Sequence, residues 1–149
     1  MWALLEIVIG MVLVICTLSI HSTGMYPVMH RFEVHWPVYL AETREIRRQI
    51  FFGWLVVTML VVHVVEVLFI AVVLYAVHAI GEFRTAFYFA GESYTTLGYG
   101  DILLPPHWRQ LALFMAMSGL FSFGWSTGVL VHIVGKTYEA QFAHLRSRK

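Results

Sequence analysis

Three long apolar runs, separated by more polar segments, constrain the fold of this chain more than any other feature. At about 1.5 Å of rise per residue, a helix needs about 20 apolar residues to cross the ~30 Å hydrocarbon core of a bilayer. The chain is 59% hydrophobic, against about 45–50% in soluble domains. The runs are residues 2–20, 50–80 and 111–134. The sequence therefore predicts an all-α integral membrane protein with three transmembrane helices in a lipid bilayer.

The composition excludes several other classes of protein. A net charge of +1 leaves no basic surplus for binding nucleic acid, and no segment suggests a soluble partner. The single cysteine, Cys16, forms no disulfide within the chain and supplies no cysteine-rich zinc site. The first run could be a cleaved signal peptide. It has no basic segment before it and no convincing cleavage site after it, so we predict a retained helix.

Lysine and arginine are unevenly distributed and predict the orientation. Eight of the ten lie in residues 21–49 or after residue 134. Because cytoplasmic loops are enriched in these residues, both segments are predicted to be cytoplasmic. With three spans, this gives a multi-pass protein of the cell membrane whose N-terminus is outside and whose C-terminus is in the cytoplasm.

The predicted first helix occupies residues 1–20, and a cytoplasmic loop follows over residues 21–49. Within that loop, residues 38–50 mix apolar and charged side chains. They predict either a short helix lying on the inner membrane surface or a solvated linker, and the sequence does not separate the two.

A glycine-rich segment lies between the last two runs. Residues 81–109 are too polar to cross the membrane twice, which favours a re-entrant segment. In it, Gly98 and Gly100 alternate with large residues and can take the positive φ angles that other residues avoid. Non-helical backbone at membrane depth is tolerated where it lines water or is buried in protein. If residues 96–99 turn their carbonyls to one side, a ring of such segments could replace the water shell of a cation.

Residues 95–101, Thr-Thr-Leu-Gly-Tyr-Gly-Asp, closely resemble the signature of potassium channels. The segments on either side resemble the pore helix and the inner helix of that family, with Gly119 at the place of the hinge glycine. The resemblance implies a tetrameric potassium-channel-like pore domain. Its predicted parts are the domain at 50–136, the outer helix at 50–80, the pore helix at 84–95, the filter at 96–100, the inner helix at 109–135 and a short cytoplasmic tail at 137–149.

The resemblance implies a function as well. A homotetramer would conduct K⁺ passively and selectively, with K⁺ in the filter as its bound ligand, no other cofactor and no enzymatic activity. The implied potassium ligands are Thr96, Leu97, Gly98 and Tyr99, with Gly100 completing the filter. The implied cavity or inner-gate residues are Gly119, Leu120, Phe123, Thr127 and Val131.

The chain departs from the family pattern at several places. Leu97 stands where a β-branched valine or isoleucine is commonest, and leucine is less stiff at χ1. No helix carries arginine at every third position, so no voltage sensor of the usual kind is predicted. The first helix has no counterpart in the minimal two-span members, and the sequence does not indicate the gating stimulus.

Four residues are predicted to support the filter. Glu92 and Asp101 flank it, and some members of the family place carboxyl groups at both positions and link them behind the filter. Tyr88, one helical turn before Glu92, could donate to the same cluster, and Thr95 precedes the filter. Two desolvated carboxyl groups are expected to share a proton. Alternatively, Glu92 is solvated at the outer mouth and concentrates cations there.

His63 and Glu66 lie one helical turn apart in the middle of the second run. They predict either a proton-sensitive switch or a neutral hydrogen-bonded pair that fixes packing, and the second reading is favoured. A metal site needs a third ligand that the sequence does not show.

Two rival functions remain open from the sequence. One is a non-conducting or weakly selective channel-like subunit that regulates or assembles with another membrane protein. The other is an intramembrane metalloenzyme that uses His63 and Glu66.

Overall fold

The computed structural model describes residues 2–41 and 45–146, with side chains described over 4–38 and 46–139. The described residues form four α-helices and one turn of 3₁₀ helix, with no strand. The helices are α1 (Trp2–Ala41), α2 (Glu45–Ala76), α3 (Phe83–Tyr94) and α4 (Leu111–Arg146), and the 3₁₀ turn is Pro106–Trp108.

The three predicted spans are confirmed as helices long and apolar enough to cross a membrane. The candidate spans are Leu4–Val38 in α1, Ile46–Ala76 in α2 and Pro106–Glu139, which includes α4. The all-helical membrane class predicted from the sequence is therefore correct.

The first helix is twice as long as the prediction. It continues to Ala41 and takes in most of residues 21–49, which were expected to be a loop. The polar residues after position 20 suggested an exit from the membrane, but the His21 side chain is fully buried against other helices. A polar residue that faces protein does not end a transmembrane helix. Residues 38–50, for which a surface helix and a solvated linker were both open, are instead the end of α1 and the start of α2, with residues 42–44 outside the described residues.

The other boundaries differ by smaller amounts. The outer helix α2 begins at Glu45 and ends at Ala76, and the pore helix α3 lies within one residue of its predicted position at each end. The inner helix α4 continues to Arg146 through most of the predicted tail, and residues 147–149 lie outside the described residues.

Two apolar clusters hold the helices together at opposite ends. The cluster beside the filter joins all four helices and contains Leu13, Ile70, Phe89 and Met115. The other joins α1, α2 and α4 and contains Val28, Leu55 and Ile133. Buried polar residues lie between them along the helices. The fold is thus apolar at both ends of its core and polar in the middle.

The start of α4 is held by a charge from α1. Glu6, the one acidic residue in the first run, is buried and accepts a hydrogen bond from the backbone N–H of Gln110, just before α4. A carboxylate is favourable at a helix N-terminus because the first N–H groups have no partner within the helix. Glu6 therefore fixes the filter-side end of α4 against α1.

Candidate ion-conduction site

The end of the pore helix turns directly into the glycine-rich segment. The N–H of Thr96 donates to the Ser93 carbonyl at 3.1 Å, and the N–H groups of Leu97 and Gly98 both donate to the Glu92 carbonyl, at 2.8 and 3.3 Å. These bonds fold the first filter residues back on the last turn of α3 and set where the extended segment starts.

The sign of φ alternates along the segment. Thr96, Gly98 and Gly100 have φ angles of 60°, 52° and 75°, whereas Leu97 and Tyr99 between them do not have positive φ. Glycine adopts this conformation without penalty, whereas a β-branched threonine does so only where its surroundings impose it. In an ordinary strand, successive carbonyls point to opposite sides. Reversing φ at every second residue turns them toward the same side, which is the arrangement that cation coordination by backbone oxygen needs.

The predicted filter and the residues on either side of it are exposed on the single chain. Leu97 is 54% exposed and Tyr99 is 71% exposed, and Thr95, Thr96, Gly98, Gly100 and Asp101 are exposed as well. Non-helical backbone at membrane depth is tolerated only where it is buried in protein or lines a water-filled cavity. This surface of the chain is therefore available to a partner.

The predicted cavity residues divide into two groups on α4. Leu120, Phe123, Thr127 and Val131 are exposed and lie on one broad side of the helix. Gly119 is buried, and the carbonyl oxygen of Tyr94 occupies the position that a Cβ would take at residue 119. Gly119 thus serves close packing between α4 and the end of the pore helix.

The residues predicted to support the filter are close together. Glu92 is only 4% exposed, and burial followed by the nearby charge of Asp101 raises its pKa. The pKa of the Tyr88 hydroxyl is also raised, by desolvation and by its hydrogen bond to Asp101. Thr95 instead donates to the backbone carbonyl of Gly91 at 2.8 Å. Proton sharing between Glu92 and Asp101 stays a prediction.

A second polar cluster occupies the middle of the core, and we call it the polar layer: His21, His63, Glu66, Tyr94, Ser122 and Ser126. His63 Nδ1 lies 3.2 Å from Glu66 Oε2, so the predicted pair is in contact. His21 Nδ1 lies 3.1 Å from Glu66 Oε1. The Tyr94 hydroxyl donates to Glu66 at 2.5 Å, and Ser122 donates to the same carboxyl group at 3.2 Å.

The polar layer connects every helix of the protein. His21 comes from α1, Glu66 from α2, Tyr94 from α3 and Ser126 from α4. Sequence reasoning found His63 and Glu66 but missed the other members. The third ligand that a metal would need is present, because ligand atoms of His21, His63 and Glu66 all lie within 4.8 Å of one another.

Three spanning helices, a re-entrant pore helix and a following segment of alternating φ define a membrane pore protein. A model of the family described as "Ion channel" matches residues 62–136, about half of the chain. The chain belongs to this ion-channel family, whose pore is of the two-span, potassium-channel-like kind, and here an additional helix, α1, precedes it. No curated protein and no solved structure matches the chain significantly.

Proposed function

We propose that the protein is a potassium-selective channel that conducts K⁺ passively through a pore formed by four copies of the chain. The observation that carries this proposal is the alternation of φ at Thr96, Gly98 and Gly100, in a chain whose family is that of ion channels. In the proposed orientation, the N-terminus and the filter face the outside and the C-terminus lies in the cytoplasm, as the distribution of lysine and arginine favours.

Two geometric features support the proposed tetramer. One filter segment offers carbonyl oxygens from one side only, whereas a dehydrated cation must be surrounded. The exposed filter and the exposed side of α4 that includes Leu120 and Phe123 are the surfaces that would line a common axis. Helices α1 and α2 would then lie outside this ring, and their exposed apolar residues would face lipid.

Conduction in this arrangement needs no covalent step. The carbonyls of Thr96, Leu97, Gly98 and Tyr99 offset the loss of the hydration shell. Several ions in single file repel one another, so that binding is strong enough for entry and still allows fast exit. Leu97 offers the same backbone oxygen as the more common valine or isoleucine, so its side chain does not alter the ligand set.

Flux through reconstituted protein tests the proposal. Purified chain in liposomes should pass K⁺ much faster than Na⁺, as measured with a voltage-sensitive or ion-sensitive dye under opposite gradients. Gly98→Ala should abolish the flux because a Cβ opposes the positive φ at residue 98. Gly53→Ala is the matched control, since Gly53 lies in α2 with no atom near the position of a Cβ.

The result separates potassium-selective conduction from the non-conducting or weakly selective subunit that the sequence left open. Equal permeability for Na⁺ and K⁺ would refute potassium selectivity. Absence of flux from a well-folded wild-type protein would favour a non-conducting subunit. Native mass spectrometry from detergent should give a mass of four chains, and a monomer or dimer that still conducts would refute the tetramer.

A further inference from the structure

The two histidines of the polar layer make an unusual set of contacts. Both Nδ1 atoms face the carboxyl group of Glu66, at 3.1 and 3.2 Å. Both Nε2 atoms face one hydroxyl, that of Ser126, at 3.3 Å from His21 and 3.1 Å from His63. Ser126 in turn points toward the sulfur of Met25 at 3.9 Å.

A proton count distinguishes the states of this cluster. Consider the cluster without a metal, with an ionised Glu66 and two neutral histidines. All of these contacts can then be hydrogen bonds only if the cluster holds one additional proton. Ser126 must then donate to one histidine and accept from the other, since it has a single proton. One of the two Ser126–histidine contacts, which are nearly equal in length, would then be donated by Ser126 and the other accepted by it. No proton would be left for the contact with the Met25 sulfur.

A bound divalent metal would account for all of these contacts with one assignment of protons. With both Nδ1 atoms bound to the metal, each neutral imidazole keeps its proton on Nε2 and donates it to Ser126. The Ser126 oxygen can accept both bonds and donate its own proton to Met25. Histidines that bind a metal characteristically donate their other ring N–H in this way, which fixes the ring and its tautomer.

The donor set fits zinc. Two imidazole nitrogens and a carboxylate are ligands that Zn²⁺ accepts, and structural zinc sites take four ligands at about 2.0–2.2 Å in a tetrahedron. The corresponding edge of a tetrahedron is roughly 3.3 Å, close to the 3.1 and 3.2 Å that separate the nitrogens from the Glu66 oxygens. The Tyr94 hydroxyl lies 2.7 Å from His63 Nδ1 and 2.5 Å from Glu66 Oε2. Both distances are shorter than that edge, so Tyr94 would have to move outward on metal binding to serve as the fourth donor.

The surroundings also favour a resident cation. Glu66 and His21 are fully buried, and His63 is 8% exposed. Ionisable groups in a membrane interior are costly unless they are paired or bind a partner. His63 additionally stacks on Phe123, with ring centroids 4.5 Å apart, which limits the access of water from the proposed pore side.

We propose that His21, His63, Glu66 and Tyr94 form a structural Zn²⁺ site in the membrane interior, with Ser126 orienting the two histidines. Bound metal would join α1 and α2 to the last residue of the pore helix, directly before the filter. This site goes beyond ion conduction: a chain that binds zinc but passes no K⁺ would refute the proposed function and leave the metal site intact.

Metal binding by the full-length protein in detergent tests the proposal. The protein is first treated with a chelator. One sample is then titrated with Co²⁺, and a second is titrated with Zn²⁺ and analysed for its metal content. We expect one metal per chain, the visible absorption of four-coordinate Co²⁺, release of protons on binding and a higher Tm in the presence of Zn²⁺.

Variants assign the ligands. His21→Gln and Glu66→Gln should lose stoichiometric binding, and Ser126→Ala, which keeps all four donors, should bind about 10–100-fold more weakly. His30→Gln is the matched control, because His30 is an exposed histidine on the same helix, and it should bind as the wild type does. Size-exclusion chromatography and circular dichroism report whether each variant folds. If the ligand variants do not fold, Ser126→Ala still tests the proposal.

Three outcomes would overturn the proposal. The first is wild-type protein that binds Co²⁺ no better than His21→Gln. The second is binding that survives all three substitutions. The third is a wild-type Tm that responds to pH but not to Zn²⁺, which would show that the polar layer holds a shared proton only.

Discussion

The carbonyl oxygen of Tyr94 lies in the space that a Cβ at Gly119 would occupy. Helix α4 therefore approaches the last residue of the pore helix so closely that position 119 accepts only glycine. The resemblance to potassium channels implies that this glycine is a hinge. The packing gives a different role, in which Gly119 allows the inner helix to support the pore helix immediately before the filter.

Gly119→Ala should destabilise the protein. The added methyl group must displace the backbone of Tyr94 or of α4, and overpacking of this kind typically costs about 1–3 kcal/mol. Thermal unfolding monitored by circular dichroism should show a lower Tm than for Gly124→Ala, whose Cβ would meet no neighbouring atom. An unchanged Tm together with altered gating would instead support the hinge.

Substitutions at Glu92 separate bracing of the filter from attraction of cations. Glu92 is buried, and burial and the charge of Asp101 raise its pKa, so a neutral amide in place of its carboxyl group should be tolerated. Glu92→Gln keeps the shape and a donor, and we expect it to conduct as the wild type does. Glu92→Ala should alter inactivation. If both variants only lower the conductance at low salt, Glu92 acts by attracting cations.

The contribution of Glu92 to the stability of the wild type should decrease as the pH rises above the usual Glu pKa of 4.5. Because the pKa of Glu92 is raised in the folded state, the folded protein binds more protons than the unfolded chain between 4.5 and that higher value. The contribution of Glu92 to stability is therefore fully present below this window and is lost, with a decrease in Tm, as the pH increases through it. In Glu92→Gln this decrease in Tm should be smaller, and an identical pH profile would show that another group is responsible.

Glu6→Ala should weaken the attachment of α4 to α1. The carboxyl group of Glu6 accepts the N–H of Gln110, and the loss of such a cap typically costs about 0.5–2 kcal/mol. Glu139→Ala is the control, because Glu139 is an exposed glutamate toward the other end of α4. Equal Tm values for the two variants would show that the buried contact contributes nothing.

The spans and the unusual backbone of the glycine-rich segment could be predicted from sequence because each depends on local information. About twenty apolar residues in a row indicate a spanning helix, and the glycines at residues 98 and 100 permit the positive φ angles found there. The end of α1 could not be predicted in the same way. His21 is polar, and only its contact with Glu66, 45 residues away, makes it an interior residue.

A weak signal for the longer helix was nevertheless present. The buried positions of α1 recur every three or four residues from Leu13 through Thr17, His21, Met25 and Val28 to Phe32. This is the periodicity of one helix face and it continues beyond residue 20 without a break. The composition of this face changes from apolar to mixed after residue 20. Judged by hydropathy alone, that change resembles the end of a transmembrane helix.

Cysteine labelling tests the orientation of the chain. In a Cys16→Ser background, Gly81→Cys and Gln49→Cys place a thiol at exposed positions before the pore helix and near the start of α2. Because lysine and arginine are concentrated on the side of Gln49, we expect an impermeant maleimide added to intact cells to label residue 81 and not residue 49. Disruption of the membrane should expose both thiols equally, which controls for reactivity. Labelling of residue 49 in intact cells would reverse the topology, and the filter would then open toward the cytoplasm.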